Sequence, residues 1–311
     1  MKERRLSGKA ICRPVSFRIV SDGGPSTIHS RYSVGKVEGD ALSLNPFEAL
    51  YLYQKGKIKP ENSGMDSFER ICSVLVSDAE ELNLFRVYLY FREKGFRISR
   101  EGSILLLRKK NSSAPPTKVR VWREDDVSSF ADISAASDGI IALLDGQGAV
   151  TIFRSTAIDP EGKAEFTWPD EIKASRLGES MYIVHDPLPA WFGEEFQGMT
   201  IIGRPEIEFL HSIGLIIEDI APTGNGRIFT DLVHRKFIVK TGFKYGSAFR
   251  TYEIDLEHHA ECLVSDLTEP EEWYRISRAV RVSHAVRKKM VFSNLSEEKV
   301  RYVVVERLDE V

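Results

Sequence analysis

The sequence predicts a mixed α/β (α+β) protein that is a tandem duplication of one unit, each copy pairing a small N-terminal α/β subdomain with a β-rich subdomain. The first observation is a repeated helix. Asn45-PFEALYLYQKG-Lys57 resembles Arg204-PEIEFLHSIG-Leu215, with matching Glu, Leu and Gly positions 158 residues apart. Proline suits the first helical turn and glycine the position after the last turn. An acid in the first turn suits the helix dipole.

Two further observations favour the duplication. An amphipathic segment that turns into a strand follows each helix, at Leu84–Ile98 and at Arg227–Val239. Each half then ends in a strand, a polar turn and a strand, at Gly139–Arg154 and at Lys288–Arg307. Shared capping chemistry could produce one matching helix pair, but the repeated order of elements favours two copies of one unit.

We therefore predict three segments. Residues 1–158 form the N-terminal, non-catalytic repeat, residues 159–224 the linker with the N-terminal subdomain of the second repeat, and residues 225–311 its C-terminal domain. Proline and glycine mark the linker near Pro160 and Gly162. We also expect Thr223-Gly-Asn-Gly226 to form a loop before the last domain.

Composition limits the class of protein. A chain of 311 residues with 42% apolar and 29% charged residues is ordinary for a globular protein of about two domains. Its apolar runs are strand-sized, far below the ~20 residues of a membrane span. The basic N-terminus has no apolar segment of a secretion signal, so we expect a cytoplasmic protein without a membrane partner. The three cysteines lie far apart and suggest neither disulfides nor a zinc site, and we expect no cofactor.

A basic stretch stands out against the formal net charge of −3. Four arginines and two lysines, with no carboxylate, lie between Trp273 and Met290 among regularly spaced apolar residues. This pattern predicts that one face packs and the other presents cations. Such a face is either solvated or binds phosphate, and a nucleic acid would have to be held by a local patch of this kind.

The residues before the basic stretch predict two strands and a helix start. Phe249–Tyr252 is the first strand, a polar loop follows at Glu253–Glu257, and Cys262–Val264 begins the next strand. Thr268 and Glu271 have the spacing of a capping box, so we expect Thr268 to open a helix.

Three side chains in this block are candidates for chemistry, although each also has an ordinary structural explanation. Tyr252 could be a cross-strand residue, His259 half of a surface pair with His258, and Lys288 a helix-end lysine. Together the three residue types supply a base, an acid and a cation. That set suits transesterification at a phosphodiester with an adjacent 2′-hydroxyl.

The same block resembles the catalytic domain of the tRNA-intron endonucleases, in their archaeal two-repeat, homodimeric branch. The matching strings are VKTGFKYGSAFRTY, HAECLV and SRAVRVSHAVRKKMVF. The resemblance implies a nuclease-like fold in the second half and selects Tyr252, His259 (rather than His258) and Lys288 as the catalytic set. It also implies that Arg281 and Arg307 sandwich a flipped base of the RNA, a role for which guanidinium planes are suited.

The resemblance carries expectations about reaction and partners. The substrate would be precursor tRNA with a bulge-helix-bulge fold, cut at both exon–intron junctions without metal to leave 2′,3′-cyclic phosphate and 5′-hydroxyl ends. A homodimer would supply two active sites. The apolar strand Tyr302–Glu306 would be covered at the subunit interface, as family tails are, and the turn Asp145–Gly148 corresponds to an acidic family loop that docks into the partner subunit.

The first half lacks the catalytic set. Trp122 stands about where the tyrosine would be, no histidine follows before the terminal hairpin, and SAASDG before Ile140 has no lysine. Two alternatives to a metal-free enzyme stay open. One is a non-catalytic, RNA-binding structural subunit. The other is a metal-dependent nuclease using the clustered carboxylates Glu253, Asp255, Glu257 and Glu261.

Overall fold

A computed structural model describes residues 8–20, 23–61, 64, 67–109, 112–178, 181–217, 220–295 and 299–309. The chain divides into two compact units, residues 1–121 and 122–311. Within the described residues, no helix has the length and apolar character needed to cross a membrane.

The first unit has two β-layers with helices. Its elements are β1 (Lys9–Cys12), β2 (Val15–Ile19), α1 (Pro25–Tyr32), β3 (Lys36–Glu38), β4 (Ala41–Ser43), α2 (Pro46–Gln54), β5 (Ile58–Pro60), α3 (Phe68–Leu75), α4 (Ala79–Glu93), β6 (Arg97–Glu101), β7 (Ile104–Arg108) and most of β8 (Thr117–Arg123). The first sheet has the order β3-β4-β1-β2-β5. After α4, strands β6, β7 and β8 follow one another in antiparallel pairs.

The second unit is larger. Its elements are β9 (Val127–Ser128), α5 (Phe130–Ala135), β10 (Gly139–Leu144), β11 (Val150–Ile158), β12 (Ala174–Leu177), β13 (Met181–Val184), β14 (Glu194–Phe196), β15 (Met199–Ile202), α6 (Arg204–Ser212), α7 (Gly224–His234), β16 (Ile238–Thr241), β17 (Phe249–Tyr252), β18 (Cys262–Asp266), β19 (Glu271–Glu272), α8 (Trp273–Ala285), β20 (Lys289–Leu295) and β21 (Val300–Leu308). Here the main sheet runs β16-β17-β18-β20-β21-β11-β10, beside a small sheet β12-β13-β15-β14.

The mixed α/β class and the repeated order of elements are confirmed. In the first half α4 is followed by four strands, α5, β10 and β11, and in the second half α7 is followed by four strands, α8, β20 and β21. The repeated helices α2 and α6 have equal length and the predicted 158-residue offset. After each helix the predicted glycine, Gly56 or Gly214, takes a positive φ of 66° or 80°. A left-handed residue here satisfies the last carbonyl groups, which explains the glycine.

Two local predictions are wrong. Thr268 does not open a helix: its hydroxyl and N–H bond to Asp266 at 2.7 and 2.9 Å, and α8 begins at Trp273. The intervening Glu271–Glu272 form β19 and pair with β9. Glu271, the second residue of the predicted capping box, is therefore part of a strand and not of a first helical turn. The segment 223–226, predicted to be a loop, is instead the start of α7, because the Thr223 side chain caps this helix by accepting from Gly226 N at 3.0 Å.

The C-terminal strand, which we expected to be covered by a second subunit, has its edges paired within the chain. β21 pairs along one side with β20 and along the other with β11 of the first half. Both edges are therefore hydrogen-bonded within the chain, and no second subunit is needed to hide them. The buried side chains between these strands and helices α5 and α8 form one core, which includes Phe153, Trp273 and Val303.

Candidate active site

Tyr252 is the last residue of β17 and is buried. It stands opposite Ile238 of β16 and joins the core cluster that contains Ile238 and Ala260. The guanidinium carbon of Arg250, two residues earlier on the same strand, lies 5.8 Å from the Tyr252 ring centroid. Because alternate residues of a strand share a face, Arg250 places a permanent cation beside this tyrosine.

His259 lies in the exposed loop that joins β17 to β18. Its neighbour His258 is engaged elsewhere, since His258 Nδ1 lies 2.7 Å from Asp255 Oδ1. Asp255 also accepts from the backbone N–H groups of Glu257 and His258 at 2.9 and 3.1 Å. The hydrogen bond and charge of Asp255 raise the pKa of His258 above its usual value. His258 is thus tied to the loop, whereas His259 comes one residue closer to β18.

Lys288 is held by the way α8 ends. Arg287 adopts a left-handed φ of 56°, and its N–H donates to His284 O at 3.0 Å while Lys288 N donates to Ser283 O at 2.9 Å. This pair of bonds is the Schellman motif. A non-glycine residue at positive φ is uncommon and strained, and such strain is often found at functional sites. From this turn the Lys288 ammonium donates to Ala260 O at 2.5 Å, directly after His259.

The sheet topology brings Tyr252, His259 and Lys288 to one edge. β17 and β18 are antiparallel, with Thr251 opposite Cys262, so β17 ends where β18 begins. β18 and β20 are parallel, with Cys262 opposite Lys289, so β20 also begins there. Neighbouring strands lie about 4.8 Å apart, which keeps the three backbones within roughly 10 Å. The parallel pair requires a crossover, and α8 supplies it.

The two predicted arginines lie near the same edge. β21 is antiparallel to β20, with Val305 opposite Met290, so Arg307 lies at the end of β21 beside the start of β20. Arg281 is in the last turns of α8, shortly before Lys288. Both side chains are exposed. The inner face of α8 is buried through Trp273, Ile276 and Val280, as the apolar spacing predicts.

Tyr245 is a further residue of this edge that was not predicted from the sequence. This residue ends a short 3₁₀ turn before β17, and the Lys288 ammonium lies 6.0 Å from its ring centroid. Hydrogen bonding with Lys244 lowers the pKa of the Tyr245 hydroxyl, and the charges of Lys244, Lys288 and Arg250 lower it further. The string FKYG is the signal that could have identified it, because it places an aromatic ring among cations at the hairpin turn.

Carboxylates border this edge as well. A hydrogen bond joins the side chains of Glu253 and Glu261, and burial together with this contact raises the pKa of Glu261. Lys163 Nζ lies 3.6 Å from Glu253. Across the described ranges, no group of three or more His, Cys, Asp or Glu side chains is arranged to hold a metal ion.

The first-half counterpart of the tyrosine is not Trp122. Trp122 lies on β8, the third strand after α4, whereas Tyr252 lies on the second strand after α7. The predicted alignment is therefore wrong by one strand. Trp122 has a packing role instead: its ring stacks on Trp273 with centroids 5.4 Å apart.

Comparison with known proteins identifies related sequences. Residues 225–302 match the family described as tRNA intron endonuclease, catalytic C-terminal domain, and residues 19–72 match its N-terminal domain family. A protein of Thermoplasma volcanium named tRNA-splicing endonuclease is 32% identical over 302 residues, covering 97% of this chain and 98% of that protein. Proteins of the same name from Picrophilus torridus and Haloarcula marismortui are 28% and 27% identical and cover 95% and 88% of this chain, and 95% and 92% of their own lengths.

Proposed function

The chain belongs to the tRNA-splicing endonuclease family and is an endonuclease, and from this premise we propose that it cuts precursor tRNA at both exon–intron junctions of a bulge-helix-bulge, without metal. The proposal is supported by the position of Tyr252, His259 and Lys288 along one sheet edge, where β17 ends and β18 and β20 begin. Their residue types match the proton transfers and charge stabilisation that attack by a 2′-hydroxyl requires.

In this mechanism Tyr252 accepts the proton of the 2′-hydroxyl next to the scissile phosphate. The guanidinium of Arg250, 5.8 Å from the Tyr252 ring centroid, lies beside this proton acceptor. The 2′-oxygen then bonds to phosphorus as the bond to the 5′-oxygen breaks, and His259 donates a proton to that leaving oxygen. The products are a 2′,3′-cyclic phosphate and a 5′-hydroxyl.

Lys288 stabilises the extra negative charge of the pentavalent transition state. An ammonium group has three N–H donors. One is used by Ala260 O, which fixes the side chain in position and leaves two for phosphate oxygens. A preorganised donor of this kind needs no reorganisation when the charge develops.

Arg281 and Arg307 hold an unstacked bulge nucleotide in this proposal. An A-form major groove is too deep and narrow for side chains to enter, so a bulge gives the enzyme its access. Exposed arginines at the end of α8 and of β21 are suited to stack on such a base. We expect Arg281→Ala or Arg307→Ala to slow cutting without lowering the melting temperature, and unchanged cutting by both variants would refute the clamp.

We further propose that two chains associate through the turn Asp145–Gly148. The turn itself contains one acid, Asp145. The fold adds a second, because Glu124 accepts from Gly146 N at 2.7 Å. An acidic turn complements the basic end of α8 in another chain. Sedimentation at micromolar concentration should show a dimer that Glu124→Gln with Asp145→Asn weakens; a monomeric wild type would contradict the proposal.

The decisive experiment incubates the purified chain with an end-labelled bulge-helix-bulge RNA in excess EDTA. We expect cutting at both bulges and cyclic-phosphate ends. Cutting only after magnesium is added would indicate a metal-dependent nuclease. RNA binding without cutting under either condition would indicate a structural subunit that needs a catalytic partner.

A matched pair of variants tests the histidine assignment. His259→Ala should lose ~10²–10⁴ in rate, the usual loss for a general acid, while His258→Ala should cut nearly as fast as the wild type. The reverse result would transfer the acid role to His258.

A further inference from the structure

A small basic pocket lies in the first compact unit, outside the site described above. Its volume is about 200 Å³, and its walls include Arg31, Tyr32, Tyr51, Arg92 and Arg97. Three arginines and two tyrosines therefore surround this space, and none of the described residues that line it is acidic.

Arg92 is unusual for a charged residue because only 9% of its surface is exposed. Its guanidinium donates to the carbonyl of Phe96 at 3.4 Å and to the carbonyl of Tyr32. The guanidinium carbon also lies 4.7 Å from the Tyr51 ring centroid. These partners are neutral, and within the part of the chain that the structure describes the buried Nε has no hydrogen-bond partner. Arg92 thus combines a buried charge with incomplete hydrogen bonding.

An anion bound beside Arg92 would stabilise this buried positive charge. Burying an unpaired ion is costly, and buried charges in proteins are normally paired. Glu48 acts electrostatically on Tyr88, which Arg92 also contacts. However, the Glu48 carboxylate accepts from Gly35 N at 2.9 Å and from Asn45 N at 3.0 Å, so it caps α2 instead. An anion that enters the pocket would meet Arg92 without competing with that cap.

The rim of the pocket indicates the kind of anion. Arg31 and Arg97 are exposed, and the Arg31 guanidinium lies 5.8 Å from the Tyr32 ring centroid. Arginine is suited to bidentate contact with phosphate, and an adjacent ring offers a surface for a sugar or base. The volume admits one phosphate with part of its nucleotide. The chain has a net charge of −3, so its affinity for RNA must come from local patches of this kind.

We propose that the pocket of Arg31, Arg92 and Arg97 binds a backbone phosphate of the RNA substrate, away from the scissile bonds. The proposal rests on RNA being the substrate, and not on the assignment of catalytic residues. The pocket therefore adds affinity without taking part in the chemistry.

RNA binding as a function of salt tests the proposal. The full-length chain with His259→Ala, which should bind precursor tRNA without cutting it, is compared with the same chain carrying Arg31→Ala and Arg97→Ala. Both arginines are exposed, so the fold should persist, which equal melting temperatures would verify. Losing one phosphate contact lowers the slope of log K against log[salt] by ~0.7–0.9 and weakens binding at low salt most.

The control removes two exposed arginines of the same unit that lie outside the pocket, Arg18→Ala and Arg86→Ala. We expect this control to bind like the parent. Equal losses in both pairs would show a general charge effect and overturn the proposal, as would equal binding by parent and pocket variant.

A second measurement distinguishes an RNA phosphate from a free anion. If inorganic phosphate raises the melting temperature of the parent but not of the pocket variant, while RNA binding is the same in both, the pocket takes a free anion and the RNA assignment is wrong. Failure of the parent to bind RNA at all would overturn both this proposal and the proposed function. Binding without cutting would affect the proposed function alone.

Discussion

Two tyrosines share the cationic edge of the second unit, and their surroundings suit different roles. Tyr252 is buried beside Arg250 at the end of β17. Tyr245 is more exposed, and its pKa is lowered mainly by a hydrogen bond with the exposed side chain of Lys244. A base must be held in fixed geometry, which favours Tyr252.

Removing the hydroxyl of each tyrosine in turn distinguishes the roles of the two residues. Tyr252→Phe should lower the cutting rate by ~10²–10⁴, as loss of a general base does. Tyr245→Phe should lower it by less than about ten-fold, because it removes one polar neighbour and no proton acceptor. Single-turnover rates with saturating RNA measure both effects. A larger loss in Tyr245→Phe would make Tyr245 the base.

The exposed pair His258–Asp255 predicts that the stability of the folded protein depends on pH. The raised pKa of His258 means that its contribution to folding is complete below the unfolded value near ~6.5 and disappears as pH rises through the folded pKa. The lowered pKa of Asp255 means that its contribution is present above ~3.9 and is lost as pH falls. NMR titration should place the His258 pKa above that of His258 in Asp255→Asn. Equal values would show that the pair does not form.

At the scale of elements, the linker is docked beside the edge that carries Tyr252. Gly162 N donates to Arg235 O at 2.7 Å, and Lys163 N donates to Glu253 O at 2.6 Å. The linker thus bonds both to the end of α7 and to the residue that follows Tyr252. A Cβ on Gly162 would lie 2.2 Å from Lys236 O, a backbone atom that cannot move alone. The segment can dock only with glycine at this position.

We therefore expect Gly162→Ala to destabilise the protein by about 1–3 kcal/mol, the usual cost of overpacking. Cutting should slow as well, because the displaced linker no longer holds the residue next to Tyr252. The control is Glu165→Ala, an exposed position of the same segment, which should change stability by less than about 0.5 kcal/mol. Urea unfolding measures both, and equal stability of the two variants would show that the linker is not docked.

Helix ends illustrate what local sequence reveals at this scale. Gly56, Gly95 and Gly214 follow α2, α4 and α6 at positive φ, where glycine is the expected residue. Lys236 and Arg287 occupy the same position after α7 and α8, with φ of 64° and 56°. The glycines could be recognised from the sequence. The other two could not, because only the surrounding packing enforces a strained conformation.

At the scale of the molecule, the end of the first half belongs to the core of the second unit. β11 pairs with β21, and the buried Phe153 ring lies 5.9 Å from the ring of Trp273. The Trp273 N–H donates to Ser128 Oγ at 2.7 Å. The boundary between the compact units, at residue 121, therefore reflects which residues pack together. The boundary between the sequence repeats, at residue 158, stays a prediction.

Truncating Phe153 tests this shared core. Phe153→Ala should lower the free energy of unfolding by about 3–5 kcal/mol, the usual cost of removing a buried aromatic ring. Val127→Ala, at a position 61% exposed, should change it by less than about 0.5 kcal/mol. Chemical denaturation followed by tryptophan fluorescence measures both variants. A loss below about 1 kcal/mol for Phe153→Ala would mean that the hairpin β10–β11 is not part of this core.

The sequence by itself determined the mixed α/β class, the paired helices and the basic face of α8, because helix caps and side-chain periodicity are local patterns. The candidate site residues came from the resemblance of three short strings to a known family. Tertiary structure alone decided that the strand ends carrying Tyr252, His259 and Lys288 lie at one sheet edge, that Tyr245 lies near Lys288, and that β11 pairs with β21. The pairing of β19 with β9 also replaces the helix start that was predicted at Thr268. These outcomes depend on hydrogen bonds between strands far apart in the chain, which no local pattern encodes.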